Sequence, residues 1–162
     1  MEVFRQTCVY LLRTRENVGQ EVLLQLKSKG ENKNYWGGVG GHLKDKELPF
    51  TCAIRETREE TGLEMHNVMH NGKLIVNNSQ MTRMYHIDFF SSWIHIGFMK
   101  GNDEGQLHWF KTHELPYSMM LPANRVVINH ILEGATFGGV IMVADGQKLE
   151  NYTLNVEGIL RR

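Results

Sequence analysis

Runs rich in β-branched and aromatic residues recur at Val3 to Arg13, Glu21 to Lys27, Lys73 to Asn77, Arg83 to Phe98, Gln106 to Phe110, Gly139 to Val143 and Lys148 to Leu154, with Gly, Asn and Asp clusters between them. Such runs predict strands. Two segments follow a different period. Pro49 to Thr61 opens on a proline, whose missing N–H costs nothing in a first helical turn, and stops at Gly62, a residue suited to a left-handed cap. Ala123 to Leu132 follows Pro122, sets Val126, Val127, Ile131 and Leu132 toward one side, and ends before Gly134. Both are expected to be helices, and strands interleaved with two helices give a mixed α+β layer arrangement.

The chain has 162 residues, 41% hydrophobic and 22% charged, enough for one compact domain spanning 1–162. Lys and Arg number 18, as do Asp and Glu. That balance argues against a protein that coats polymeric nucleic acid or an acidic membrane, since both draw on excess basic charge. No apolar run is long enough to span a bilayer, and Glu2, Arg5, Arg13 and Arg15 interrupt the N-terminal segment too closely for a signal peptide. Cys8 and Cys52 are the two cysteines and are expected to be reduced, in a cytoplasmic protein. The eight histidines form no metal-binding spacing, and the nine methionines read as core fillers.

Charge placement on the first helix changes the picture. At 100° per residue, Glu56, Glu59 and Glu60 share one face, while Phe50, Ala53, Ile54, Thr57 and Thr61 form another that can dock onto a sheet. Clustered carboxylates repel one another, and they suit a hard divalent cation that takes oxygen ligands and keeps waters and substrate phosphates. Just upstream, Trp36-Gly37-Gly38-Val39-Gly40-Gly41 offers a backbone that can approach a ligand closely. It completes neither a G-x-x-x-x-G-K-[ST] phosphate loop nor a G-x-G-x-x-G dinucleotide fingerprint.

Gly41, five residues, Glu47, seven residues, then Arg55-Glu56-Thr57-Arg58-Glu59-Glu60-Thr61-Gly62-Leu63 resembles the Nudix hydrolase signature G-x5-E-x7-R-E-U-x-E-E-x-G-U. A chance match of its fixed letters in a chain this long has a probability of roughly one in a million. Thr57 departs from the bulky aliphatic usual at U. The resemblance implies a Nudix fold, a mixed β-sheet sandwiched between α-helices. It also implies Mg²⁺, with Mn²⁺ as a substitute, held by Glu56, Glu59, Glu60 and the Gly40 carbonyl. Arg55 and Glu47 would pair to hold the loop against the helix. A metal-activated water then displaces at phosphorus, with Glu59 and Glu60 in the catalytic set.

Beyond the signature, Glu104 before the strand carrying Trp109 is similar to a glutamate that joins the metal site, as ligand or general base, in MutT-type members of the family. Leu121-Pro122-Ala123-Asn124 resembles a P-A-N segment whose asparagine reads oxidised guanine; its amide offers a donor and an acceptor to O6 and N7–H. Lys27 and Thr7 fall where similar proteins face the nucleotide, and Gly41 where the backbone meets it. Gly37 stands where animal relatives of this type carry a base-contacting asparagine. The implied partner is a small nucleotide, and the implied reaction converts an oxidised purine nucleoside triphosphate to monophosphate and pyrophosphate. Another nucleoside triphosphate, a nucleotide sugar, a dinucleoside polyphosphate or a capped RNA end would use the same chemistry. A nucleotide sensor of this type would be expected to lose the carboxylates, and all three are present.

Overall fold

The computed structural model describes residues 1–101 and 105–159. Ten strands and two α-helices follow in the order β1 (Glu2–Arg15), β2 (Gly19–Lys27), β3 (Trp36–Gly37), α1 (Pro49–Thr61), β4 (Glu64–His66), β5 (Met69–Asn78), β6 (Arg83–Ser92), β7 (Ile94–Ile96), β8 (Gly105–Lys111), α2 (Pro122–Leu132), β9 (Ala135–Ala144) and β10 (Lys148–Ile159). The main sheet runs β10-β9-β5-β6-β1-β2-β3, with β8 on the other side of β2, and β4 and β7 form a separate ribbon. It is mixed: β1 and β6 are parallel, as are β5 and β9, and the other pairs are antiparallel.

Period-2 alternation sorts the core onto two faces. On β1, Cys8, Tyr10 and Leu12 join one cluster, and Val9 and Leu11 join another. The first cluster takes in Val127, Ile128 and Ile131 of α2, together with Leu24, Leu74 and Phe89; the second takes in Ala53 of α1, with Leu23 and Phe90. Each wholly buried side chain of this size contributes about 1.5–3 kcal/mol through removal from water. The sheet is therefore sandwiched between helices, α1 lying against β1, β4 and β6 and α2 against β9, β10 and β5.

The first helix keeps its expected bounds, and the second begins one residue early, at Pro122. α1 starts at Pro49 and closes on Gly62, which has φ of 76° and donates its N–H to Arg58 O at 2.9 Å. Its docking face is shifted: Phe50 lies 52% exposed, with an edge-to-face contact to Phe90, while Cys52 and Glu60 are buried. The run Arg83 to Phe98 is two strands rather than one. Ser92 turns the chain by donating to Ile94 O at 2.9 Å and accepting from Ile94 N–H at 3.2 Å, which sends β7 to pair with β4. Met65 and Met120 fill the core as expected, but Met81, Met99 and Met119 are at least 44% exposed.

One irregularity builds the site. β1 and β2 pair only at Leu12–Arg15 with Gly19–Val22, then splay apart. The glycine segment threads the gap: Val9 and Val39 exchange both backbone hydrogen bonds, at 2.6 and 3.1 Å, and Thr7 N–H donates to Gly41 O at 2.9 Å. On the far side Gln25 and Leu26 pair with β3, and Leu121 N–H at the start of α2 donates to Trp36 O at 3.0 Å.

Candidate active site

The threading leaves no room for side chains on the loop. A Cβ on Gly38 would lie 2.7 Å from both Cys8 Sγ and Val9 O. At Gly40 it would lie 2.0 Å from Thr7 O, and Gly40 has φ of 151°. Cys52 from α1 lies beneath the loop, its thiol directed at the His42 and Gly41 carbonyls at 3.6 and 3.7 Å and 3.4 Å from Thr7 Oγ1. Burial pushes the Cys52 thiol up to about 11, so it stays protonated and structural.

The acidic face of α1 meets this loop. Glu60 is 4% exposed and accepts the Gly40 N–H at 2.8 Å. Glu56 lies so close to Gly41 that a Cβ there would sit 2.5 Å from Oε1. Glu59 is half exposed. Arg55 organises the edge of the cluster. Its guanidinium grips Glu47 with two bonds of 2.8 Å, reaches Glu56 at 2.9 Å and Glu59 at 3.2 Å, and donates to His42 O at 3.2 Å. The hydrogen bonds from Arg55 hold the Glu47 carboxyl down at about 2, and Glu47 in turn raises Arg55, so both stay charged.

Among the described residues no three His, Cys, Asp or Glu side chains gather closely enough to cage an ion as they stand. The donor set still fits a hard divalent cation. All three glutamates offer carboxylate oxygens on one helix face, and two of them closely approach a loop whose glycines carry no side chain to crowd them.

A cavity of about 880 Å³ opens beside Glu60. Thr7, Lys27, Gly38, Gly40, Gly41 and Asn124 line it. Lys27 Nζ donates to Gly38 O at 2.8 Å and to Gln25 Oε1 at 2.7 Å. Asn124, 5% exposed, accepts at Oδ1 from Gly38 N–H at 2.9 Å, from the Tyr10 hydroxyl and from the Cys8 thiol at 3.4 Å. A backbone N–H can only donate, so the Asn124 oxygen must face Gly38 and the amide NH₂ must face away. Burial raises Cys8 to about 11 and carries Tyr10 well above its ordinary value, so both remain donors.

Residues 4–131 match the NUDIX domain family. The chain belongs to that family. An oxidized purine nucleoside triphosphate hydrolase of Mus musculus is 28% identical over 138 residues, 83% of this chain and 86% of the mouse protein. In fold, this Nudix chain is similar to the crystal structure of a MutT protein from Bacillus halodurans, with a TM-score of 0.80, 23% identity, and coverage of 94% of this chain and 97% of that one. It is also similar to the NUDIX domain of Shewanella oneidensis NrtR complexed with ADP ribose, with a TM-score of 0.60 at 14% identity, over 70% of this chain and 75% of that one.

Within the Nudix frame, the loop and helix bring Gly40, Gly41, Glu47, Arg55, Glu56, Glu59 and Glu60 together, and the cavity collects Thr7, Lys27 and Asn124 beside Glu60. Glu104 lies outside the described residues. One expectation is corrected: Asn124 does not offer both a donor and an acceptor, because its oxygen is taken up by Gly38, Tyr10 and Cys8. Gly37 has no space for an asparagine without a shift, since a Cβ there would meet Leu121 Cδ1 at 3.1 Å and Asn124 Oδ1 at 3.3 Å. Sequence reasoning passed over Gln25 and Asn77, polar residues on strands that line the same cavity and are buried. An amide at an otherwise apolar strand position was the available signal. The described helices include none long and apolar enough to cross a membrane.

Proposed function

We propose that this Nudix hydrolase, acting as a single domain of 1–162 in the cytoplasm, cleaves an oxidised purine nucleoside triphosphate to the monophosphate and pyrophosphate with Mg²⁺, Mn²⁺ serving as a substitute. The observation that carries the reading is the contact of Glu60 with Gly40 N–H at the wall of a nucleotide-sized cavity that also holds Asn124 and Lys27. The 28% identity to the mouse hydrolase supports the substrate class.

In this reading Glu56, Glu59 and Glu60, with the Gly40 carbonyl and Glu104, hold the metal. The metal supplies charge neutralisation of the phosphates and a water acidic enough to attack phosphorus near neutral pH. Arg55, fixed by Glu47, aligns the carboxylates and joins the α1 face to the loop at His42 O. The Lys27 ammonium faces the anionic nucleotide from the cavity wall, and Thr7 and Gly41 shape its floor. Asn124 donates to a base oxygen.

The test is steady-state hydrolysis with Mg²⁺ across 8-oxo-dGTP, dGTP, dATP, a nucleotide sugar and a dinucleoside polyphosphate, with pyrophosphate and phosphate assayed separately. A preference for 8-oxo-dGTP over dGTP of about tenfold or more in kcat/KM, with pyrophosphate released, is expected from one additional buried hydrogen bond. Preference for another member of the panel would overturn the base assignment. The engaged Asn124 oxygen favours a second reading, in which donors alone read the O6 and N7 acceptors of unmodified guanine; faster turnover of dGTP than of 8-oxo-dGTP would support it.

A further inference from the structure

The N7–H of an oxidised guanine needs an acceptor, and Asn124 has none to offer because three donors already occupy its oxygen. Among the described residues, two buried side-chain polar atoms have no hydrogen-bond partner in the protein: Gln25 Nε2 and Asn77 Oδ1. One is a donor and the other an acceptor. Gln25 is 1% exposed and Asn77 6%, and both residues line the 880 Å³ cavity that contains Asn124. Buried polar groups are nearly always satisfied, so two residues that each carry such an atom and line one cavity point to a ligand there.

The identity of the Gln25 donor is fixed by its neighbour. The Lys27 ammonium can only donate, and it donates to Gln25 Oε1 at 2.7 Å, which makes the other terminal atom the NH₂ group. Lys27 then bonds Gly38 O at 2.8 Å, and Gly38 N–H bonds Asn124 Oδ1 at 2.9 Å. A continuous chain therefore joins the two carboxamides, each with its oxygen held inside the protein. The Gln25 NH₂ group has no hydrogen-bond partner in the protein. Asn77 comes from a different strand, β5, where it pairs with Met84 on one side and Met142 on the other.

Resting on the purine triphosphate reading, we propose that Gln25 and Asn77 are specificity-determining residues of this site, Gln25 donating to a carbonyl oxygen of the base and Asn77 accepting the N–H that oxidation places at N7. An unmodified guanine satisfies the Gln25 donor and leaves Asn77 unmatched. Oxidised guanine satisfies both.

Calorimetric titration with 8-oxo-dGMP and dGMP tests this without turnover. Asn77→Leu removes the acceptor at similar volume. It is expected to melt no lower than the parent protein, because a buried unmatched oxygen is gone, to bind 8-oxo-dGMP about tenfold more weakly, and to bind dGMP within about twofold of the parent. Asn77→Asp keeps an acceptor oxygen and is expected to retain the preference for 8-oxo-dGMP. Gln25→Glu keeps the oxygen that Lys27 grips and replaces the NH₂ donor; it is expected to weaken both nucleotides by about tenfold or more and to leave pyrophosphate binding unchanged. Unchanged affinities in Asn77→Leu, with its melting temperature lowered, would make Asn77 a structural residue and overturn its assignment. A loss in Gln25→Glu of the same size against pyrophosphate would place that contact on phosphate and overturn the base assignment. If the parent protein binds the two monophosphates equally, the oxidised-purine reading fails, and the Gln25 arm still decides the Gln25 contact.

Discussion

Gly38 donates its backbone N–H to the side-chain oxygen of Asn124 at 2.9 Å, tying the glycine loop to the first turn of α2 across 86 residues of chain. This bond sets which end of the Asn124 amide meets the cavity. Asn124→Asp keeps an acceptor for Gly38 and deletes the donor that faces away. Its kcat/KM toward the preferred purine triphosphate is expected to fall about 10- to 100-fold, the cost of one lost buried hydrogen bond of about 1–3 kcal/mol. Kinetics compared across purine and pyrimidine triphosphates check this, since a uniform loss on all bases would show that Asn124 serves the fold alone.

Two adjacent glycines are expected to fail in different ways. Gly40→Ala forces a Cβ to within 2.0 Å of the Thr7 carbonyl at a positive φ of 151°, so it has a backbone clash with no flexible neighbour and is expected to lower the melting temperature markedly. Gly41→Ala meets the Glu56 carboxylate first, at 2.5 Å, the far end of a side chain that can swing aside. That variant should melt close to the parent protein and lose turnover. Differential scanning calorimetry alongside kcat separates the two, and equal melting temperatures would contradict the threaded-loop geometry.

Glu47 gives the site a signature in acid. Its carboxyl is held down at about 2 by Arg55, below the ordinary value of 4.5. A depressed carboxylate adds stability that is fully present above the unfolded value and is lost as pH falls through the folded one. The stability difference between the parent protein and Glu47→Gln should therefore be constant from neutral pH down to about 5 and shrink between about 4.5 and 2. Urea titrations at stepped pH measure it, and a difference that stays flat across that window would show the Arg55 pair to be unformed in solution.

Legibility in the sequence followed the range of the interactions. α1 was readable from end to end because its signals are local: Pro49 at the first turn, Gly62 at φ of 76°, and glutamates whose spacing alone sets their face. β3 and β4 were not, since segments of two and three residues carry no period and exist only through partners at Gln25–Leu26 and Ile94–Ile96. β9 begins at Ala135, ahead of the expected Gly139, because two consecutive glycines carry no side-chain alternation to mark a strand. In the sheet Gly139 is demanded by a close neighbour, a Cβ there lying 2.3 Å from Thr153 O. In the site, the signature residues were fixed by spacing, but the direction of the Asn124 amide depends on a backbone N–H far away in sequence. The buried state of Gln25 and Asn77 likewise depends on which strands flank them.

The central claim is that Glu60, buried against Gly40 N–H, belongs to a metal-dependent hydrolytic centre. The most direct measurement is pyrophosphate release from 8-oxo-dGTP by the parent protein and by Glu60→Gln, titrated with Mg²⁺, with circular dichroism confirming that both are folded. The account predicts Mg²⁺-dependent release by the parent protein and a loss of about a hundredfold or more in kcat for the variant at unchanged fold. Release that is indifferent to Mg²⁺, or a folded Glu60→Gln variant with parental turnover, would contradict it.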